Sequence, residues 1–186
     1  QPRDAGCKGV RVDWQSAVFE VIDMRSFSNL WFWIALAVMW AMASHWVLGV
    51  PYDMVTRAAR HGGRAQADLE ALVRIHADRM LFIVGVAGIW LVGLMFFALT
   101  ALAMLGFWYD VEFAQALFLM LLPMSLVWVM GLRTARRIRT EAASGADLRR
   151  QLWRQRLFTQ ALGMVAIFIT SLWGMYRNLS SLPLGD

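Results

Sequence analysis

The chain has 186 residues, of which 59% are hydrophobic, and it carries 18 basic residues against 13 acidic ones, a formal net charge of +5. With a mean hydropathy of +0.51, it is more apolar than a soluble globular domain. Cys7 is the single cysteine, which excludes an intrachain disulfide and a thiolate cluster, and Lys8 is the single lysine. The basic residues flank apolar runs, so membrane topology explains them better than nucleic acid does.

Runs of about 18 or more apolar residues without charge read as membrane spans. Four such runs occur, over 30–50, 80–105, 113–132 and 158–176. The expected fold is an all-α integral membrane protein. It has four transmembrane helices, an N-terminal amphipathic helix and two cytoplasmic basic helical loops. Residues 1–12 read as a disordered tail and 13–186 as one membrane domain. "DAGC" resembles the end of a lipoprotein cleavage site, but no apolar segment precedes it, so neither a lipoprotein nor a cleavable signal peptide is expected.

In chain order, "DWQSAVFEVIDM" (13–24) places Trp14, Ala17, Val18, Val21 and Ile22 on one helical face. Asp13 is placed to cap this helix. Its polar side is acidic, with Asp13, Glu20 and Asp23, whereas a helix bound to anionic lipid is basic there. Trp14, Val18, Val21 and Ile22 are therefore candidate contacts to a protein partner or to the non-cytoplasmic lipid surface.

Ser28 or Asn29 opens the first span, and Trp31 and Trp33 suit the headgroup level. Gly49 and Pro51 end it, and Pro51 fits the first turn of a following helix. Loop 51–79 reads as two helical pieces split by "HGG" (61–63). In the second, Leu69, Leu72, Val73, His76 and Met80 form one stripe. Arg64–Asp68, Glu70–Arg74 and Arg74–Asp78 are spaced as i,i+4 pairs, each worth a few tenths of a kcal/mol. This piece is expected to run straight into the second span. At about 1.5 Å per residue, that span outruns a hydrocarbon core of about 30 Å, so it tilts or projects.

The connection "GFWYDVEF" makes spans two and three a tight antiparallel hairpin, with Trp108 and Tyr109 as interfacial anchors. Asp110 and Glu112 read as solvated charges. Pro123 interrupts the backbone bonding of the third span. "RTARRIRTEAASGADLRRQLWRQRL" follows as a basic helical hairpin, with Gly145 stopping its first helix and Asp147 capping its second. Trp173 and Tyr176 mark the far interface of span four.

Loop 51–79 holds five basic residues, loop 133–157 holds eight, and loop 106–112 holds none. The positive-inside rule makes the two long loops cytoplasmic and both termini periplasmic.

His45 is the one ionisable group inside an apolar run. Ala41 precedes it by four residues, the spacing found in light-harvesting polypeptides, where a small residue makes room for a chlorin. Ala37, Ala41 and His45 also form one small-residue column, the usual means by which membrane helices approach. The preferred reading is a packed histidine. A pigment or haem ligand is the alternative, and six-coordinate haem needs a second ligand facing it, which neither His61 nor His76 convincingly supplies.

Spans one to four carry no Asp, Glu, Lys or Arg between their ends. Ser44, Thr100, Gln115, Ser125, Thr159, Gln160, Thr170 and Ser171 glue helices better than they relay protons, so a small transporter is the weaker alternative. Ala166, Thr170 and Gly174 form a second small-residue stripe, for packing inside the bundle or against another protein. Arg133, Arg136, Arg137 and Arg139 suit anionic lipid headgroups first and an acidic partner second. They lack the aromatic interleaving of a single-strand binder. No catalytic or metal-ligand constellation is visible, and no cofactor is expected.

The stretches "VFEVIDMRSFSNLWFWIALAV", "SHWVLGVPYDMV" and "SLWGMYRNLS" resemble a family of small alphaproteobacterial membrane proteins. The similarity runs from about Asp13 to the C-terminus. Members are often labelled components of the Suf iron–sulfur assembly complex. The resemblance implies bacterial origin and an inner-membrane location, and it carries over no site residues. Iron–sulfur clusters are held mainly by thiolates, and Cys7 lies outside the similar region. The expected function is that of a non-catalytic accessory subunit or assembly factor of a larger energy-transducing membrane complex, respiratory or photosynthetic.

Overall fold

The computed structural model describes Phe27 and residues 30–180. The amphipathic helix expected over 13–24, with Trp14, Val18, Val21 and Ile22, lies outside the described residues. The elements are α1 (Leu30–His45), β1 (Trp46–Val47), β2 (Val50–Pro51), α2 (Tyr52–His61), α3 (Gly63–Ala103), α4 (Glu112–Thr140) and α5 (Gly145–Ser180). Three helices, α3 to α5, are long and apolar enough to cross a membrane among the described residues.

α1 departs from the expected span of 30–50. Its 16 residues rise about 24 Å, less than a hydrocarbon core of about 30 Å. It ends at His45 because the chain turns into a hairpin, with Trp46 opposite Pro51 and Val47 opposite Val50. Leu48 (φ 53) and Gly49 (φ 76) are both left-handed, as a two-residue hairpin turn of this hand requires. Gly49 also meets the His76 ring, whose Nδ1 would lie 2.9 Å from an added Cβ.

Pro51 precedes α2 as its extended N-cap residue (φ −61, ψ 133) rather than sitting in its first turn. α2 buries Val55 and Ala58 and exposes Arg57 and Arg60. Gly62 (φ 59) separates it from α3, whose first residue, Gly63 (φ 45), is also left-handed.

α3 runs unbroken from the charged segment into the apolar one, as expected. Its 41 residues span about 62 Å, twice the hydrocarbon thickness. Leu69, Val73 and Ala77 form its buried stripe. The last turn widens to a π-helix, Met104–Trp108, closed by the Tyr109 N–H donating to the Met104 carbonyl at 3.2 Å. Asp110 takes a positive φ of 57 in the short link to α4. α4 continues through Pro123 to Thr140.

The turn between α4 and α5 differs from expectation. Gly145 does not stop α4. Ala142 (φ 46) turns the chain, and the Ala143 N–H reaches back to the Ile138 carbonyl at 3.2 Å. Gly145 is instead the first residue of α5, and Asp147 lies inside the first turn, where its charge favours the helix dipole.

Two hydrophobic clusters hold these elements. The larger joins Val47, Val50, Val55, Ala58, Leu69, Val73, Ile138, Leu148 and Leu152, all at the Arg-rich end and, Val47 and Val50 apart, outside the four apolar runs. The smaller, Leu36, Trp40 and Ala166, lies between α1 and α5. A bilayer around the apolar helices would produce this asymmetry. Water drives apolar side chains together, whereas lipid tails solvate them as well as a neighbouring helix does.

Candidate functional site

The sequence-derived candidates scatter over three places rather than converging. His45 is the last residue of α1 and is exposed, as are Ala37 and Ala41. The expectation of a packed histidine is therefore corrected. The buried face of α1 carries Leu36 and Trp40, so the Ala37–Ala41–His45 column points away from the bundle. The imidazole meets the Trp46 ring edge-on, with centroids 6.0 Å apart. Among the described residues, no three His, Cys, Asp or Glu side chains gather in a metal-holding group.

The stripe of Ala166, Thr170 and Gly174 faces inward. Of its two readings, packing inside the bundle and contact with a partner or lipid, the structure shows the first, against α1 and Phe27. Ala166 is 8% and Thr170 1% exposed. Thr159 and Gly163 extend the same buried face. Small residues are needed because aromatic rings lie against this helix. A Cβ on Gly163 would fall 2.7 Å from Trp40 Cε3, and one on Gly174 would fall 3.3 Å from Phe27 Cδ1 and 3.4 Å from Trp33 Cζ2. Thr170 returns its hydroxyl to the Ala166 carbonyl at 2.8 Å, so it presents its methyl as packing surface.

At the end opposite the arginines, Gln115 ties three elements together. It is 1% exposed. Its amide nitrogen donates to the Gly106 carbonyl at 2.7 Å and to Asp110 Oδ1 at 3.1 Å. Its oxygen accepts from Trp173 Nε1 at 3.0 Å. Arg177 also donates to Asp110 Oδ1, at 2.7 Å. Glu112 Oε1 accepts the Phe27 N–H at 2.8 Å. Asp110 and Glu112 thus accept internal hydrogen bonds, while the Asp110 side chain stays 67% exposed, as expected of a loop charge, and Trp173 is an internal tie. Gly106 permits this closure, since a Cβ there would lie 2.9 Å from Gln115 N. A buried glutamine just inside an acidic turn was the available signal. Its partners 58 and 9 residues away were not deducible locally.

At the Arg-rich end, the expected i,i+4 pairs within α3 give way to ties between helices. Asp78 pairs with Arg139 of α4. Glu70 accepts from the Gly145 N–H at 2.8 Å and from Gln66 Nε2 at 2.7 Å. These bonds, the first above all, hold the Glu70 carboxyl below the usual glutamate range. Glu70, Arg74, Asp78 and Arg139 border a cavity of about 300 Å³. Arg156 lies 3.8 Å from the centre of the Tyr52 ring, joining α5 to α2. The arginine run itself divides. Arg139 is paired with Asp78 and Arg137 with Glu141, Arg136 is exposed, and Arg133 borders a groove between α4 and α5.

These arrangements bind helix to helix. The buried polar groups of the apolar stretches, Gln115, Thr159 and Thr170, direct their hydrogen bonds within the chain. The chain matches no family model, no curated protein and no solved structure.

Proposed function

We propose that the chain is a non-catalytic four-span membrane protein that works by contact, as an accessory subunit or assembly factor of a larger energy-transducing complex of the bacterial inner membrane. One observation carries this reading. In the apolar half of α3, no residue of the most hydrophobic stretch is buried. Ile89 is 89% and Trp90 82% exposed, and Gly85 and Gly93 open onto empty space. A helix so bare within its own chain must be covered by lipid or by another protein, and its glycines allow a second helix close approach. The choice of an energy-transducing host rests on the family resemblance alone.

α1 supports the fourth crossing. Phe27, just before it, bonds to Glu112 at the Gln115 end, while Val47, just after it, joins the core at the Arg-rich end. α1 thus bridges the same two layers as α3 to α5. Its shortness is compatible with local thinning of the bilayer. The arginine distribution then puts loops 51–79 and 133–157 in the cytoplasm and both termini in the periplasm.

The test is purification of tagged protein from native membranes in mild detergent. Stoichiometric co-migration with a much larger complex is expected. Migration as an isolated species, with nothing captured in stoichiometric amount, would remove this function.

A second reading keeps His45 as a haem or pigment ligand. Its support is the outward orientation of the Ala37–Ala41–His45 column, which leaves the imidazole accessible from outside the bundle. An absorption band of stoichiometric intensity, lost in His45→Ala, would establish it.

A further inference from the structure

Where α4 and α5 meet at the Arg-rich end, they enclose a groove of about 320 Å³. α4 lines it with Met130, Arg133 and Arg137, and α5 lines it with Arg154, Gln155 and Phe158. Met130, Arg133 and Arg137 are three and four residues apart, and with Gln151 the α5 set follows the i, i+3, i+4, i+7 pattern, so each is one face of its helix. The groove is graded along its length. α4 climbs from Met130 through Arg133 to Arg137, while α5 descends from Arg154 through Gln155 to Phe158. Guanidinium groups therefore occupy one end and apolar side chains the other. Between them, the Thr134 hydroxyl donates to Gln155 Oε1 at 2.8 Å.

The charge is one-sided. Three arginines and no carboxylate line the groove among the described residues. At its rim, Glu141 is held by Arg137 at 2.8 Å and by Gln151 Nε2 at 3.0 Å. Neither Arg133 nor Arg154 has an ion-pair partner among the described residues, and both are exposed. Gln151 Oε1 is buried beside them without a donor. Two unpaired guanidinium groups above an apolar slot fit an anion with a greasy tail. Their planar forks match phosphate oxygens, and basic pockets between spans at the cytoplasmic face hold anionic headgroups.

We propose that this groove seats one anionic diacyl phospholipid, with its phosphate between Arg133 and Arg154 and an acyl chain over Met130 and Phe158. The proposal rests on the membrane-spanning reading above. It narrows the arginine run to one member, Arg133, since Arg137 is held by Glu141, and adds Arg154 from the next helix. Free phosphate would satisfy the arginines and leave Met130 and Phe158 uncovered.

The test is native mass spectrometry of the full chain in phosphatidylcholine nanodiscs doped with phosphatidylglycerol, alongside thermal melting. The expected result is one phosphatidylglycerol retained per chain in preference to phosphatidylcholine, with a raised Tm. Retention should fall at least fivefold in the Arg133→Gln/Arg154→Gln double variant and persist in Arg136→Gln. Phe158→Gln keeps every arginine and should weaken retention independently. Unchanged retention in both the double variant and Phe158→Gln would overturn the proposal, as would equal retention of phosphatidylcholine. Stabilisation by inorganic phosphate equal to that by phosphatidylglycerol would also overturn it, by leaving the tail no role. An integral protein without lipid preference sinks this proposal alone, whereas recovery in the soluble fraction without detergent sinks the membrane-spanning reading as well.

Discussion

Glu70 accepts hydrogen bonds from the first residue of α5 and from Gln66, and its carboxyl is held below the usual glutamate range, chiefly by the Gly145 N–H. Because the folded pKa is depressed, the stabilisation is fully present above the unfolded value of about 4.3. It is lost as pH falls through the lower folded value. Glu70→Gln keeps the shape and removes the charge. Its Tm should lie below that of the parent at pH 7, and the gap should close as pH falls through the depressed folded pKa, where the parent carboxyl also becomes neutral. A Tm gap that stays constant across this range would show that the charge is irrelevant. Glycines give a second test at the same scale. An alanine Cβ at Gly163 would sit 2.7 Å from the Trp40 ring, whereas at Gly93 it meets nothing within 4 Å. Both substitutions gain the same helix propensity, of order 1 kcal/mol. The difference between Gly163→Ala and Gly93→Ala therefore isolates the overpacking term, expected at about 1–3 kcal/mol against Gly163→Ala. Equal melting of the two variants in detergent would deny the α1–α5 contact.

α3 divides into halves with different physics, and stability should follow the division. Leu152 of α5 is fully buried against the Arg-rich half of α3, while Ile89 in the apolar half is 89% exposed. Leu152→Ala should cost about 2–5 kcal/mol, by lost transfer energy and a residual cavity. On the membrane-spanning reading, Ile89→Ala exchanges one lipid-solvated side chain for another and should change detergent stability by less than about 1 kcal/mol. Comparable losses from both would mean that the apolar half of α3 is packed within the chain. The same division governs what the sequence could reveal. α3, α4 and α5 were legible because long charge-free runs and the 3.6-residue stripe through Leu69 and Val73 are local signals. The end of α1 at His45 was not. Its hairpin turns on Leu48 and Gly49, without the Asn-Gly or Asp-Gly pair that announces such a turn. The set of bonds around Gln115 was half legible, since Gln115 stood out as a polar residue in a span. Asp110 and Arg177, which complete it, lie 67 residues apart in sequence, and only packing brings them together. The inward use of Thr170 and Gly174 was one of two readings, and the Phe27 and Trp33 rings on Gly174 decide it.

For the whole molecule, orientation and span count are separable questions, and the single cysteine makes them accessible to one method. At about 62 Å, α3 places Arg64 and Tyr109 at opposite ends of the structure. Both are exposed, so a cysteine at either position is open to a reagent. In a Cys7→Ser background expressed in intact bacterial cells, an impermeant maleimide should label Tyr109→Cys from outside and Arg64→Cys only after lysis. The arginines favour this direction, since loops 51–79 and 133–157 carry 13 of the 18 basic residues. The reverse pattern would invert the molecule, and labelling of both positions from one side would mean that α3 does not cross. The natural Cys7 then settles α1. If α1 crosses along with α3, α4 and α5, Cys7 lies on the same side as Tyr109, and an impermeant reagent reaches it in intact cells. If only three helices cross, the chain before α1 stays with the arginines, and Cys7 reacts only once the cells are opened. The four-span reading thus stands or falls on one thiol, provided that lysis confirms Cys7 to be reactive. Protection in whole cells followed by full labelling after lysis would reduce the protein to three spans and leave α1 as a helix inserted from the cytoplasmic side.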